Sequence, residues 1–242
     1  MRYDLTKFKH GLEELNITLT DEQIEQFLQY YEMLVEKNKV MNLTGITEYE
    51  EVIQKHFLDS LSLIRVIPDI ASQKLTVIDL GTGAGFPGIP LKIAFPELEI
   101  TLMDSLNKRI LFLQEVIDAL GLKKVSAVHG RAEEMAANAA HRQQYDLCVS
   151  RAVSNLAVLT EYCLPFVKKG GLFVSYKSAD SDAEIQEGKK AISILGGKLT
   201  SVDKFQLPDS DLRRALVCIK KVKDTPKKYP RKAGTPAKLP LK

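Results

Sequence analysis

Apolar residues recur at helical spacing through the first seventy positions and then give way to short alternating runs. Leu5, Phe8, Leu12 and Leu15 fall three or four apart, the period of a helix buried on one face. Leu19-Thr20-Asp21-Glu22-Gln23 then offers Thr20 as an N-cap with Gln23 three places on, a capping box. Ile24, Phe27, Leu28, Tyr31, Leu34 and Val35 carry an apolar stripe through Lys39, as a core-facing helix does. After the polar connection Asn42-Leu43-Thr44-Gly45, a further helical segment is expected from Glu48 to Ile67, ending before Pro68.

From Leu75 onward strand-like and helix-like runs alternate. Strands are expected at Leu75–Leu80, Glu99–Asp104, Val125–His129, Tyr145–Ser150, Gly171–Lys177, Lys198–Leu207 and Arg214–Lys221. Helices are expected at Gly88–Phe95, Asn107–Leu120, Glu133–Ala140, Asn155–Val167 and Ala183–Leu195. Single helices between strands require right-handed crossovers and a mostly parallel sheet covered on both faces. The last two strands, with no helix between them, predict an antiparallel hairpin at the sheet edge. The fold class is therefore α/β, with a seven-stranded, mostly parallel Rossmann-like sheet. It divides into a helical region at 1–70, a sheet domain at 71–222 and a tail at 223–242.

The chain is organised around the stretch Val77 to Gly88, in which apolar residues lead into Asp79 and glycine then stands at every second position, Gly81, Gly83 and Gly85. Glycine carries no Cβ to hold a ligand off the main chain and accepts positive φ, so such a strand-end turn lets a cofactor lie against peptide groups. Pro87 suits the first turn of a following helix. Two registers compete. Gly83-x-Gly85-x-x-Gly88, with Asp104 roughly 20 residues on, is formally a dinucleotide fingerprint. Asp79-x-Gly81-x-Gly83-x-Gly85 instead tips the strand with a carboxylate, which suits the cationic amino and sulfonium groups of S-adenosylmethionine and resembles the first motif of class I methyltransferases.

Charge changes the picture at one end. The net charge is +3, yet Lys220 to Lys242 holds nine Lys or Arg against Asp224 alone, +8, leaving −5 for the preceding 219 residues. With four prolines and mutual repulsion, residues 223–242 are not expected to pack as a regular element. They read as a solvated extension or as an arm on a polyanion, with Lys227, Lys228, Arg231 and Lys232 as RNA contacts. Cys148, Cys163 and Cys218 are an odd, scattered set in apolar surroundings, expected to be buried thiols of a cytoplasmic protein. Neither a signal core nor a membrane span is expected. No spacing among the four histidines and three cysteines suggests a metal.

Ligands of doubly wound sheets bind beyond the carboxyl ends of the strands. Those ends present Asp79, Gly81 and Gly83 with Phe86 beyond, then Asp104 for ribose hydroxyls, then Arg131-Ala132-Glu133 for an adenine edge, then Ser150-Arg151-Ala152 and Tyr176-Lys177-Ser178. Each has a plainer use: Asp79 and Asp104 as helix N-terminal acids, Arg131 and Arg151 as surface ion pairs, Lys177 as a solvated lysine, His56 and His129 as structural histidines. The fourth strand end lacks the Asn/Asp-Pro-Pro-aromatic set suited to exocyclic amines. Cys148 lies mid-strand, wrong for attack on a pyrimidine. An acceptor already nucleophilic, such as guanine N7, remains, and Arg151 and Lys177 would then hold RNA rather than move protons.

Together Asn38-Lys39-x-x-Asn42-Leu43-Thr44, His56-x-x-Asp59-Ser60-Leu61, Val77 to Pro90, Leu102-x-Asp104-Ser105-x-x-Lys108-Arg109, Arg131-x-Glu133-Glu134, Ser150-Arg151-Ala152 and the Lys177 strand end resemble, over nearly the whole chain, the bacterial RsmG family of 16S ribosomal RNA guanine-N7 methyltransferases, also called glucose-inhibited division protein B. The resemblance implies a class I fold, S-adenosylmethionine as cofactor and 7-methylguanosine in the decoding-region loop of 16S rRNA as product, with the RNA inside the 30S subunit or an assembly intermediate and the protein a monomer. It places cofactor contacts on Gly81, Phe86, Ala132, Glu133 and Arg151 and on Asp104. Its basic residues for RNA or catalysis fall on Arg131, Arg151, Lys177 and Arg214. Many members lack the tail, so the tail's RNA role rests on charge alone. A methyltransferase for another RNA base or a small molecule, a nicotinamide oxidoreductase and a non-enzymatic RNA-binding protein are the competing functions.

Overall fold

The computed structural model describes residues 3–151 and 154–241. Its centre is a seven-stranded sheet in the order β3-β2-β1-β4-β5-β7-β6. The strands are β1 (Thr76–Leu80), β2 (Glu99–Asp104), β3 (Val125–His129), β4 (Tyr145–Ser150), β5 (Val167–Ser178), β6 (Gly197–Gln206) and β7 (Arg213–Lys221). The first five run parallel, and β7 inserts antiparallel between β5 and β6. The terminal hairpin thus closes the edge expected of it.

The helices in chain order are α1 (Thr6–Glu14), α2 (Asp21–Met41), α3 (Tyr49–Val52), α4 (Asp59–Leu61), α5 (Gly88–Ala94), α6 (Asn107–Ala119), α7 (Ala132–Met135), α8 (Leu156–Cys163), α9 (Asp182–Ile194) and α10 (Thr235–Lys238). The capping box forms as its residues predict: Thr20 Oγ1 accepts from the Gln23 N–H at 3.2 Å and Gln23 Oε1 accepts from the Thr20 N–H at 2.8 Å.

Strand residues alternate between two apolar layers because the side-chain period is two. Val77, Leu102, Leu147 and Val174 face one layer; Ile78, Met103, Cys148 and Phe173 face the other. The first layer includes Phe8, Phe27, Tyr30, Leu34 and Phe57 of the N-terminal helices, so region 1–70 shares its core with the sheet. Tyr30 fixes the junction by donating its hydroxyl to the Ala84 carbonyl of the glycine turn at 2.7 Å.

Four local expectations need correction. The helix predicted over 133–140 stops at Met135, and the Asn138 side chain accepts the Ala140 N–H in a local turn that competes with helix. The helix predicted over 155–167 ends at Cys163, where Pro165 brings in a 3₁₀ turn, and β5 starts earlier, at Val167. The segment expected to be one helix over 48–67 contains a π turn, Ile53–Leu58, between α3 and α4.

The fourth correction is the largest. Residues 223–241 do not float but fold back onto the second layer. At Arg142 the segment is held by its carbonyls, for which missing proline donors do not matter: Arg142 donates to the carbonyls of Tyr229 at 2.9 Å and Thr225 at 2.9 Å. Lys221, fully buried, donates to the Leu164 carbonyl and to Thr225 Oγ1, both at 2.5 Å, and burial lowers its pKa to about 7. Arg231, expected on RNA, is instead clasped by the buried Glu161.

Candidate active site

The glycine turn is built from the buried carboxylate outward. Asp79 Oδ2 accepts from Thr82 Oγ1 at 2.6 Å and from the Gly88 N–H, a free donor of the first turn of α5, at 2.8 Å. Those bonds pull the turn into a tight loop in which Gly81, Gly83 and Gly85 take φ of 72°, 62° and 111°. At Gly85 a Cβ would lie 2.8 Å from the Tyr30 hydroxyl, so both conformation and space require glycine. Burial raises the Asp79 pKa to about 7, and its Oδ1 has no partner. Asp79, expected to meet a cation directly, lies beneath the surface and clasps the loop. Its plainer reading as a helix N-terminal acid describes this geometry.

A pocket of about 490 Å³ opens at the carboxyl ends of β1, β2 and β3. Gly81, Asp104, Arg131, Ala132 and Glu133 line it. Asp104 Oδ2 accepts from the Gly83 N–H at 3.0 Å and from Arg109 at 3.1 Å, and its Oδ1 accepts from the Leu106 N–H at 2.9 Å. Arg109 also lines the pocket, and its Nε is a buried donor without a partner in the protein. Two carboxylates and a bare-backbone turn fit S-adenosylmethionine, whose hydroxyl and amino groups want acceptors.

A second pocket, about 510 Å³, contains Arg151, Lys177 and Arg214. Asp59, buried, accepts from Arg151 at 2.9 Å and from Arg214 at 3.3 Å. The π turn presents the Lys55 carbonyl to Arg151 Nη1 at 2.7 Å and His56 Nδ1 to Nη2 at 2.9 Å. His56 stacks on Phe86 at 4.4 Å, and the Arg151 guanidinium sits 5.1 Å above the same ring. Burial, aided by Arg151, lowers the His56 pKa to about 3, so the ring is neutral and accepts at Nδ1 while Thr44 Oγ1 meets Nε2 at 2.9 Å.

The residues expected at one site therefore divide. Arg151 and Phe86, expected on the cofactor, stand at the second pocket and beneath it, while Arg131 faces the first. Gly83 and Gly85 shape the loop without lining either pocket. Lys177 is not solvated: it donates to the Ser154 carbonyl at 2.6 Å and pairs with Glu184 at 2.7 Å. Ser154 lines the first pocket, so the bond from Lys177 links the walls of the two. Ala152 lies outside the described residues. Lys227, Lys228 and Lys232 are exposed. The plainer reading of His56 as a structural histidine describes its geometry. Sequence reading missed the anchoring role of Asp59, although it stands in the motif His56-x-x-Asp59; it also missed Tyr162 and Gly234, which line the first pocket without any local signature.

Cys148 is fully buried and burial holds its thiol well above the usual range, so it is no nucleophile. The one histidine and carboxylate cluster among the described residues, His10, Glu14 and Asp209, is exposed and hydrogen-bonded within itself. Among those residues no helix is long and apolar enough to cross a membrane.

Comparison with known proteins bears on this geometry. Residues 23–217 match the family described as rRNA small subunit methyltransferase G. The chain is 57% identical to the Ribosomal RNA small subunit methyltransferase G of Lachnoclostridium phytofermentans over 98% of both chains. It is 54% identical to the protein of that name from Alkaliphilus metalliredigens, over 97% of both. Among solved structures, TYW2 of M. jannaschii in complex with AdoMet superimposes with a TM-score of 0.52 at 13% identity, covering 68% of this chain and 77% of that one. The precorrin-6y C5,15-methyltransferase of Geobacter metallireducens gives 0.50 at 13% identity, covering 66% and 87%. The structural likenesses show the methyltransferase fold, and the sequence matches, extending through both pockets, show that the chain belongs to the rRNA small subunit methyltransferase G family.

Proposed function

We propose that the protein transfers the methyl group of S-adenosylmethionine to N7 of a guanosine in the decoding-region loop of 16S rRNA. The observation that carries this reading is a pair of pockets, one at the glycine turn with Asp104 and Glu133 in its wall and one holding Arg151, Lys177 and Arg214, linked by the bond from Lys177 to the Ser154 carbonyl. S-adenosylmethionine supplies an electrophilic methyl group when bound. Asp104 and Glu133 would hold it, with Gly81 giving close approach to the main chain.

Guanine N7 bears no proton at neutral pH, so transfer to it needs no general base, and His56, neutral and enclosed, supplies none. Catalysis is then alignment, worth up to about 7 to 11 kcal/mol for well-oriented reactants. Arg151 and Arg214, held by Asp59, would meet O6 or phosphate and leave N7 free. Lys177 links the walls of the two pockets through the Ser154 carbonyl. Arg131, exposed at the rim of the first pocket, would meet the RNA backbone.

The exposed Lys227, Lys228 and Lys232 would add sequence-independent affinity by counterion release. We further propose a cytoplasmic monomer that acts on the RNA within the 30S subunit or an assembly intermediate, its parts 1–70, 71–222 and 223–242 acting as one unit. Mass mapping of 16S rRNA nucleosides with and without the protein tests the function: new 7-methylguanosine is expected. An unmodified RNA beside methylation of a small acceptor would replace this reading.

A further inference from the structure

Glu133 Oε1 accepts a hydrogen bond from the Gly234 N–H at 3.0 Å, joining residues 101 positions apart at the wall of the first pocket. Gly234 is delivered there by an anchored strap. Arg231, three residues earlier, donates to Glu161 through Nη2 at 2.6 Å, Nε at 2.9 Å and its backbone N–H at 2.8 Å. The Glu161 side chain is 1% exposed, so this pairing is not a casual surface contact. Tyr229 is buried against the second apolar layer, and Gly234 takes φ of 78°, which turns the chain into α10. The residue after Glu161, Tyr162, lines the same pocket, and its phenol is raised by burial and then by the charges of Glu133 and Glu161.

We propose that the C-terminal strap is part of the methyl-donor site: the Arg231–Glu161 pair positions the Gly234 N–H, which in turn fixes the Glu133 carboxylate for the donor's hydroxyl or amino groups. This rests on the reading that the first pocket holds S-adenosylmethionine. A half-buried glutamate on a four-residue helix has rotamers to lose, and a charge-assisted bond from a fixed N–H removes that freedom before the ligand arrives. Without Arg231, Glu161 is a buried charge lacking its partner, which favours release of the strap. Arg231 and Glu161 are thus positioning residues acting through Glu133.

Calorimetric dissociation constants for S-adenosylmethionine test this on the full chain and on Arg231→Ala, Glu133→Gln and the double variant. Each single change is expected to weaken binding roughly tenfold, and the double variant no further than Glu133→Gln alone, since both act on one carboxylate. Arg231→Lys should recover part of the loss, and the defect should fall on the donor KM more than on kcat. Wild-type affinity in Arg231→Ala, or losses that multiply to about a hundredfold in the double variant, overturns the proposal. If Arg231→Ala does not fold, Glu161→Gln, which keeps the shape and removes the charge, is measured under the same criteria. Failure of the unaltered protein to bind S-adenosylmethionine at all would count against the assigned reaction instead.

Discussion

The guanidinium of Arg151 and the carboxylate of Asp59 meet at 2.9 Å from elements 92 positions apart, and Arg214 shares the same carboxylate at 3.3 Å. Removing the anion leaves two arginines side by side in a partly enclosed pocket. Asp59→Ala should therefore cost about 3 to 5 kcal/mol of stability, the penalty for breaking a buried pair. Methyl transfer should fall with it, whereas the affinity for the donor should change little. Urea denaturation and calorimetry on the same preparation check both halves.

His56 predicts a pH dependence. Its folded pKa, lowered to about 3 by burial and by Arg151, lies below the unfolded value of about 6.5. The folded form thus resists protonation: the stability tied to neutral His56 is complete above about pH 6.5 and is lost as pH falls toward 3. Between pH 7.5 and pH 5 the wild type should lose about 2 kcal/mol that His56→Gln does not lose. Equal losses in the two proteins, read from urea midpoints, would refute it.

Asp104, proposed to hold the methyl donor, lines the first pocket and ties down Gly83 and Arg109. Asp104→Ala should weaken S-adenosylmethionine binding at least tenfold, or about 1.5 to 3 kcal/mol for a charged hydrogen-bonding group. Thermal-shift titrations with S-adenosylmethionine and, as a control, NADH give the measurement. A larger shift with NADH would favour a dinucleotide enzyme.

Gly88 is a packing constraint. A Cβ there would lie 2.2 Å from Leu102 Cδ2 and 2.8 Å from Asp79 Oδ2. Gly88→Ala should lower stability by about 1 to 3 kcal/mol through overpacking, and should distort the clasp on the loop. Gly121→Ala, a surface position with nothing within 4 Å but φ of 62°, should cost less, about 1 kcal/mol of backbone strain. Melting temperatures of the two variants rank the effects.

The RNA contacts proposed for the exposed tail lysines have their own test. Replacing Lys227, Lys228 and Lys232 by alanine should reduce the slope of log affinity against log salt by about 2 if each neutralises one phosphate. Nitrocellulose retention of 16S rRNA across a salt series measures that slope, and an unaltered slope removes these residues from the interface.

Much of the fold was legible because its signals are local. Strand periods, the Thr20 capping box and the glycine turn each depend on neighbours in sequence, and β2, β3 and β4 fall on the residues their patterns predict. The site was legible only as a set of strand ends. That Arg151 lines the second pocket and not the first depends on Asp59, Lys55 and His56, brought together by a π turn that apolar periodicity does not encode. The tail misled for a related reason. Repulsion among its charges was visible, whereas Glu161 and Arg142, which receive it, lie far away in sequence.

The bond from Tyr30 to Ala84 has a bearing on how the chain can be divided. The turn that would cradle the methyl donor is propped from behind by α2, whose aromatic rings finish the same interior as the sheet. A gene segment beginning past residue 70 would encode every strand and still deliver a cradle with its back wall missing. The glycine turn of this chain is thus built jointly by both parts, and a fragment without the first would leave the Ala84 carbonyl without that phenol.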